Sequence, residues 1–180
     1  DLAKGLEDLN TLIIQNPNDM RARVRRGWAY LAMKKFSAAV SDLSYAIERK
    51  AELPLAYLNL AAVYYETGDL ERAFTVNAKV FLLHEPQYLV DALFQKGLIL
   101  LAMNKDEESR ALYSQGRSLA EKNSDLSRLE YGIEELREAM KGAKARPQTA
   151  EPILRSLQEA KRTMNPSSDA SNYACRRLIL

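Results

Sequence analysis

Small residues recur along this sequence at nearly constant intervals. Gly27, Ala61 and Gly97 are separated by 34 and then by 36 residues. The columns that keep the same register are Tyr30/Tyr64/Leu100, Ala39/Ala73/Ser109, Leu43/Asn77/Tyr113 and Ala46/Val80/Gly116. Five columns in one register indicate an internal repeat, and a period of this length is typical of stacked supersecondary units.

Each repeat is predicted to contain two helices. Within residues 58–80, apolar residues recur at helical spacing on both sides of the pair Gly68 and Asp69, which is a turn signal. Small residues on the first helix allow the second to approach, while large residues in the columns of Tyr30 and Leu43 fill the space beside the contact. The sequence therefore predicts helix packed against helix.

This pattern resembles the tetratricopeptide-repeat (TPR) family, whose motif extends over about 34 residues. The residues that match the motif best are Tyr57, Leu60, Ala61, Tyr64, Gly68, Asp69 and Ala73. Neighbouring repeats depart from it, with Arg23 where the family favours Trp and Ser109 in place of Ala. The resemblance implies an all-α, right-handed superhelical solenoid of antiparallel helix pairs, termed A and B in each repeat.

The repeat register divides the chain into four parts. Residues 1–19 match a B helix only, residues 20–123 hold three TPR-like repeats, residues 124–164 form a degenerate repeat or a capping helical pair, and residues 165–180 are expected to be a flexible tail. Because no A helix precedes the first B helix, we expect the chain to be part of something longer. The fourth repeat begins two residues late, so we expect a longer connection within residues 81–90.

Proline and hydroxyl or carboxylate side chains mark the predicted helix starts. Pro54 and Pro86 are expected in the first turn of helices, where a missing backbone N–H costs nothing. Asp69 and Asp106 are expected to cap B helices, and Thr149 to cap the last helix.

Charge and composition argue against several classes of protein. The chain has 26 Lys and Arg against 24 Asp and Glu, a formal charge of +2, which does not favour a nucleic-acid partner. No apolar run approaches the length of a membrane span. The single cysteine, Cys175, permits neither a disulfide nor a thiolate metal site within the chain.

The sequence predicts no enzyme and no cofactor or metal site. His84 is the only histidine and stands beside Glu85 at an expected helix end, where we interpret it as an ordinary terminal residue. A Gly-rich phosphate loop, a pair of His ligands and an activated Ser or Cys nucleophile are all missing from the sequence.

In the TPR arrangement the A helices line a concave groove, so the resemblance implies which residues face a partner. The predicted partner-binding residues are Arg21, Val24, Arg25, Trp28, Leu58, Asn59, Ala62, Tyr65, Phe94, Gln95 and Leu98. An exposed surface this apolar should be covered by something, and Trp28, Tyr65 and Phe94 are the expected anchors. The alternative for each residue is packing between adjacent A helices.

The four arginines Arg21, Arg23, Arg25 and Arg26 are not predicted to form one patch. Arg21 and Arg25 share a helix face, whereas Arg23 points nearly opposite. TPR proteins that clamp the carboxylates of chaperone tails use Lys, Asn and Arg on successive A helices, and here only Asn59 falls at a matching place. We therefore expect no such clamp.

The sequence thus predicts a scaffold that holds a partner peptide or helix in an apolar concave groove and assists complex assembly. Three alternatives stay open: an accessory recruitment domain of a larger enzyme or transport machine, RNA binding along the basic helices, and self-assembly into a homo-oligomer. The last helix is expected either to cap the repeats or to fill part of the groove.

Overall fold

The structure is a computed structural model that describes residues 2–49 and 52–165. These residues form nine α-helices and no strand, which confirms the predicted all-α architecture. The helices are α1 (Leu2–Gln15), α2 (Met20–Ala32), α3 (Phe36–Arg49), α4 (Pro54–Glu66), α5 (Leu70–Ala78), α6 (Leu89–Ala102), α7 (Asp106–Lys122), α8 (Leu126–Lys141) and α9 (Pro147–Met164). Apart from Asn165, the expected tail lies outside the described residues.

The chain divides into two compact units, residues 1–92 and residues 93–180, with the division inside α6. In the first unit α1 packs on α2, α2 packs on α3 and α4, and α4 packs on α5. In the second unit α9 packs on α7 and α8. The main core cluster of the first unit consists of Met20, Val24, Ala39, Leu43, Ala46, Ala56, Leu60 and Val63.

The repeat columns of small and large residues face one another inside the helix pairs. A Cβ atom added to Gly27 would lie 2.7 Å from Cγ of Leu43, and one added to Gly97 would lie 2.8 Å from the ring of Tyr113. Real side-chain contacts are not this short, so each glycine is needed for the close approach of its partner helix. The role predicted for the small-residue column is confirmed.

The turns between A and B helices share one backbone geometry. Lys34, Gly68 and Asn104 occupy equivalent positions and have left-handed φ angles of 57°, 83° and 62°. After the first of these residues, the amide of Lys35 donates a hydrogen bond of 2.8 Å to the carbonyl of Tyr30, and the same bond recurs in the other two turns. This Schellman-type arrangement satisfies carbonyls that would otherwise be unpaired at a helix end.

Of the two predicted aspartate caps, one forms and the other does not. Asp69 caps α5, because its carboxylate accepts a hydrogen bond of 3.2 Å from the amide of Arg72. Asp106 is the first residue of α7, and Lys105 occupies the cap position without a side-chain bond. The prediction of a cap at Asp106 is wrong.

Asp106 instead connects α7 to the start of α9. Its carboxylate accepts hydrogen bonds from the Arg146 guanidinium, at 2.6 Å, and from the Thr149 hydroxyl, at 2.7 Å. Because the Thr149 hydroxyl is used in this way and α9 begins earlier, at Pro147, Thr149 does not cap α9 as predicted. The two bonds hold the pKa of the Asp106 carboxyl below its usual value.

The connection between α5 and α6 is irregular, at the place where the sequence has two extra residues. The chain tightens into a 3₁₀ segment at Lys79–Leu83, turns through a left-handed His84 with φ of 53°, and forms a second 3₁₀ segment at Pro86–Tyr88. The fully buried side-chain amide of Asn77 donates a hydrogen bond of 3.2 Å to the carbonyl of Ala92. This bond joins the two ends of the connection.

The last helix packs as part of the second unit. The predicted apolar side of α9 is buried at Ile153, Leu157 and Ala160. The helix before it, α8, ends at Lys141, and Gly142 occupies its C-cap position. With this packing α9 covers apolar surface of α7 and α8.

Candidate functional site

Two of the four arginines on α2 are bound to a buried carboxylate on α3. Asp42 is 5% exposed and accepts hydrogen bonds from Nε and Nη2 of Arg26, at 2.6 and 2.7 Å. Nη1 of Arg23 lies 3.7 Å from the same carboxylate, and the Arg23 guanidinium lies 4.2 Å from the centre of the Tyr45 ring. The bonds to Asp42 raise the pKa of the Arg26 guanidinium above its usual value, so this charge is fixed in place.

The other two arginines lie on an exposed stripe of α2, together with a tryptophan one turn further along. Arg21, Arg25 and Trp28 are exposed, and Trp28 has 53% of its surface open to solvent. Among the described residues, neither Arg21 nor Arg25 forms an ion pair or a side-chain hydrogen bond. The predicted division of the arginines between two faces of the helix is confirmed.

An open cleft of about 430 Å³ lies beside this stripe, within the first unit. One wall is formed by Arg21, Val24 and Arg25 of α2, the second by residues 52–55 at the start of α4, and the third by the connection that precedes α6. The residues that line this cleft, called the α2 cleft below, are Arg21, Val24, Arg25, Glu52, Leu53, Pro54, Leu55, Glu85, Gln87 and Tyr88.

The lining of the cleft combines apolar and charged side chains. Val24 is buried beneath the two arginines, and Leu55 is 47% exposed at the start of α4. A carboxylate stands on each of the other two walls, at Glu52 and Glu85. Apolar surface with a few placed polar groups is typical of sites that bind ligands or peptide segments.

The third wall of the α2 cleft is formed by the irregular connection between α5 and α6. Tyr88 lines the cleft and also packs against a buried cluster made by Leu58, Val80 and Ala92. Since Ala92 is also the residue bound by Asn77, the wall is held both by apolar packing and by a buried hydrogen bond. The two extra residues therefore position Glu85, Gln87 and Tyr88 at the cleft.

The predicted partner-binding residues do not share one exposed surface. Exposed members are Arg21, Arg25 and Trp28, half-buried members are Asn59, Ala62 and Gln95, and buried members are Val24, Leu58, Tyr65, Phe94 and Leu98. Of all eleven, the α2 cleft brings together Arg21, Val24 and Arg25.

Phe94 differs most from its expected role as an exposed anchor. It is 1% exposed, and its ring stacks on Tyr113 with 5.6 Å between ring centroids. Cβ atoms added to Gly116 and Gly132 would lie 2.6 and 2.4 Å from the Phe94 ring, so both glycines make room for it. Phe94 is therefore a core residue of the second unit, and the expectation of exposure is wrong because two glycines accept the ring.

Tyr65, Leu58 and Leu98 also differ from the expectation of a solvent-facing groove. Their exposed fractions are 8%, 7% and 5%. Side chains this buried support a surface from below, because a partner cannot touch them without displacing their neighbours. Leu58 packs in a buried cluster with Val80 and Ala92.

Sequence reasoning did not assign to a binding site the cleft residues that lie between helices or at a helix start. These residues are Glu52, Leu53, Pro54, Glu85, Gln87 and Tyr88. The sequence did contain one signal for Glu85, Gln87 and Tyr88, because the two extra residues of the longer repeat interval fall beside them. Helical periodicity describes the faces of helices and says nothing about the direction of a turn residue.

The described residues offer no site for a metal ion and no transmembrane segment. Among them, no group of three His, Cys, Asp or Glu side chains could hold a metal. None of the described helices is both long and apolar enough to cross a bilayer. His84 is exposed, and Cys175 lies outside the described residues.

The fold of this chain is similar to that of solved TPR proteins. A crystal structure of MamA matches with a TM-score of 0.63 at 15% identity, covering 91% of this chain and 90% of that chain. YrrB, described as a TPR protein with an unusual peptide-binding site, matches with a TM-score of 0.58 at 11% identity, covering 95% and 99%. A thermophilic TPR protein of Thermus thermophilus matches with a TM-score of 0.56 at 16% identity, covering 86% and 88%. No protein-family model and no curated protein matches the sequence, so the likeness is one of fold.

Proposed function

Because the chain has the TPR fold, we propose that it is a protein-interaction module whose α2 cleft binds a peptide segment of a partner protein. The observation that carries this proposal is the combination, at one open cleft, of exposed Leu55 with two arginines that have no partner within the described residues. Arginine is among the residues that contribute most to binding at interfaces, and apolar surface beside it adds to the area that a partner can bury.

The size of the cleft favours a short segment over a folded surface. About 430 Å³ accommodates a few side chains of a helix or an extended peptide, and its openness to solvent allows the chain on either side to continue. YrrB, which has a similar fold, is described as having an unusual peptide-binding site. A role in assembling complexes would follow from holding such a segment.

Leu55 and Leu12 supply a matched pair of variants for the test. Leu55 lines the cleft and is 47% exposed, whereas Leu12 lies on α1 and is 46% exposed. Replacing either residue by alanine removes the same amount of apolar side chain from a similarly exposed position. Any difference in peptide affinity between the two variants is then due to the position of the side chain inside or outside the cleft.

The experiment selects peptides from a random-peptide library with the native chain and measures their affinities by fluorescence anisotropy. We expect Leu55→Ala to weaken binding about tenfold and Leu12→Ala to leave it unchanged. Equal affinities for the two variants, or a library that yields no binder, would contradict the proposal. An RNA partner would be recognised instead by affinity that falls steeply with salt.

A further inference from the structure

The α2 cleft contains charges of both signs that no partner neutralises within the described residues. Arg21, Arg25 and Glu52 form neither an ion pair nor a side-chain hydrogen bond there. Glu85 accepts a hydrogen bond of 2.8 Å from Gln87, which carries no charge. All four charges line one cleft, yet none of them pairs with another among the described residues.

The other side of α2 shows what the same residue types do when an opposite charge is within reach. There Arg26 forms two short bonds with Asp42, and Arg23 approaches the same carboxylate. The helix thus has one face where its positive charges are satisfied inside the chain and one face where they are available to another molecule. Complementary charges are a main determinant of which partner an interface accepts.

We infer that the segment bound in the α2 cleft carries an acidic and a basic side chain on either side of an apolar one; this inference rests on the proposed function. The carboxylate binds Arg21 and Arg25, whose guanidinium groups suit its planar geometry. The cation binds Glu52 and Glu85 on the opposite walls. The apolar side chain contacts Leu55.

A segment without charges would be a poorer ligand for a physical reason. Binding it would remove four charged groups from water without giving them new partners, and the lost hydration opposes association. A segment with charges of one sign would pair either with the arginines or with the glutamates and would be repelled by the other pair. A segment with both signs satisfies every wall, so the occupant to which we commit is a partner peptide with this charge pattern.

The test uses the same random-peptide library with the native chain and with two double variants. We expect peptides selected by the native chain to be enriched in both acidic and basic residues around an apolar residue. Arg21→Gln with Arg25→Gln should abolish the acidic enrichment and keep the basic one, and Glu52→Gln with Glu85→Gln should do the reverse. The affinity of a native-selected peptide should fall at least about tenfold in either double variant.

Lys34→Gln with Lys35→Gln is the matched control, since both lysines are exposed, lie outside the cleft and carry the same total charge as the two arginines. This control should select the same peptides as the native chain. If the lysine control lost the enrichment of acidic residues in the same way as the arginine variant, the selection would depend on net charge alone, and the inference would be overturned.

The outcomes separate the inference from the function on which it rests. Peptides that depend on Leu55 but show no charge pattern would overturn the inference and leave the proposed function standing. A cleft already filled by a second copy or by residues 166–180 would leave the free chain unable to select any peptide from the library. That result would overturn both.

Discussion

Helices α2 and α6 occupy equivalent positions in the repeat, but they are held in the molecule by different forces. α6 buries its apolar residues almost completely. The ring of Phe94 packs against two glycines, and Leu98 is only 5% exposed. In α2 the residue equivalent to Leu98 is Trp28, which is 53% exposed. The opposite side of α2 is fixed by the ion pair between Arg26 and the buried Asp42.

The difference shows how one repeat register can serve two purposes. Apolar burial of a whole A helix gives stability but leaves nothing for a partner to touch. The A helix α2, held from one side by an ionic network, keeps the opposite side exposed. Stability and binding are therefore expected to respond to different substitutions in the two helices.

Phe94→Ala tests the apolar half of this comparison and should have the largest effect. Removing a fully buried aromatic ring and leaving a cavity should lower the free energy of unfolding by about 3–5 kcal/mol. Urea unfolding followed by circular dichroism measures this, with Phe94→Leu as a milder control. A loss below about 1 kcal/mol would mean that the ring is not packed as described.

Asp42→Ala tests the ionic half of the comparison. Removing the carboxylate leaves Arg26 partly buried without its partner, which should cost about 3 kcal/mol, at the lower end for buried ion pairs because Arg26 retains some exposure to water. The same unfolding measurement applies. Simultaneous Arg26→Leu and Asp42→Leu should be less destabilising than Asp42→Ala alone, and the opposite order would contradict the ionic account.

Gly132→Ala sharpens the account of how closely Phe94 is enclosed. The new methyl group would start 2.4 Å from the Phe94 ring, and the resulting shift should cost about 1–3 kcal/mol. Gly5→Ala is the control, because the space around Gly5 is open. If both substitutions had the same effect, the contact would not be tight.

Trp28→Ala should have the smallest effect on stability. Truncating an exposed side chain should change the free energy of unfolding by no more than about 0.5 kcal/mol. Because Trp28 is the only tryptophan, the emission of the native chain should also be that of a solvent-exposed indole. Strong destabilisation, or emission at short wavelength, would remove the distinction between the two helices.

The repeat columns predicted packing better than they predicted exposure. The column of Val24, Leu58 and Phe94 is apolar throughout and is buried throughout, so uniform apolarity was the signal of a core position. The neighbouring column of Arg25 and Asn59 has polar members, and these reach solvent. Comparing the chemistry of each column, in addition to its register, separates the core face from the accessible face.

Two features could not be obtained from the sequence pattern. Trp28 and Leu98 share a column but differ in exposure by about tenfold, which depends on what packs around each helix rather than on the residue itself. The third wall of the cleft depends on the backbone of Lys79–Leu83 and His84, whose 3₁₀ and left-handed conformations interrupt the helical period. An interruption of the helical period in the sequence shows where helical spacing stops applying, but it does not predict the backbone conformation that replaces the helix.

The turns between helices give this chain room to change over evolutionary time. The left-handed conformation at Lys34, Asn104, Ser124 and Ala143 costs an ordinary residue about 1 kcal/mol, whereas glycine adopts it without strain, as Gly68 does. None of these four residues lines the α2 cleft. Glycine at such a turn can offset the destabilisation that a substitution elsewhere in the chain brings, so the helices can stay folded while other residues change.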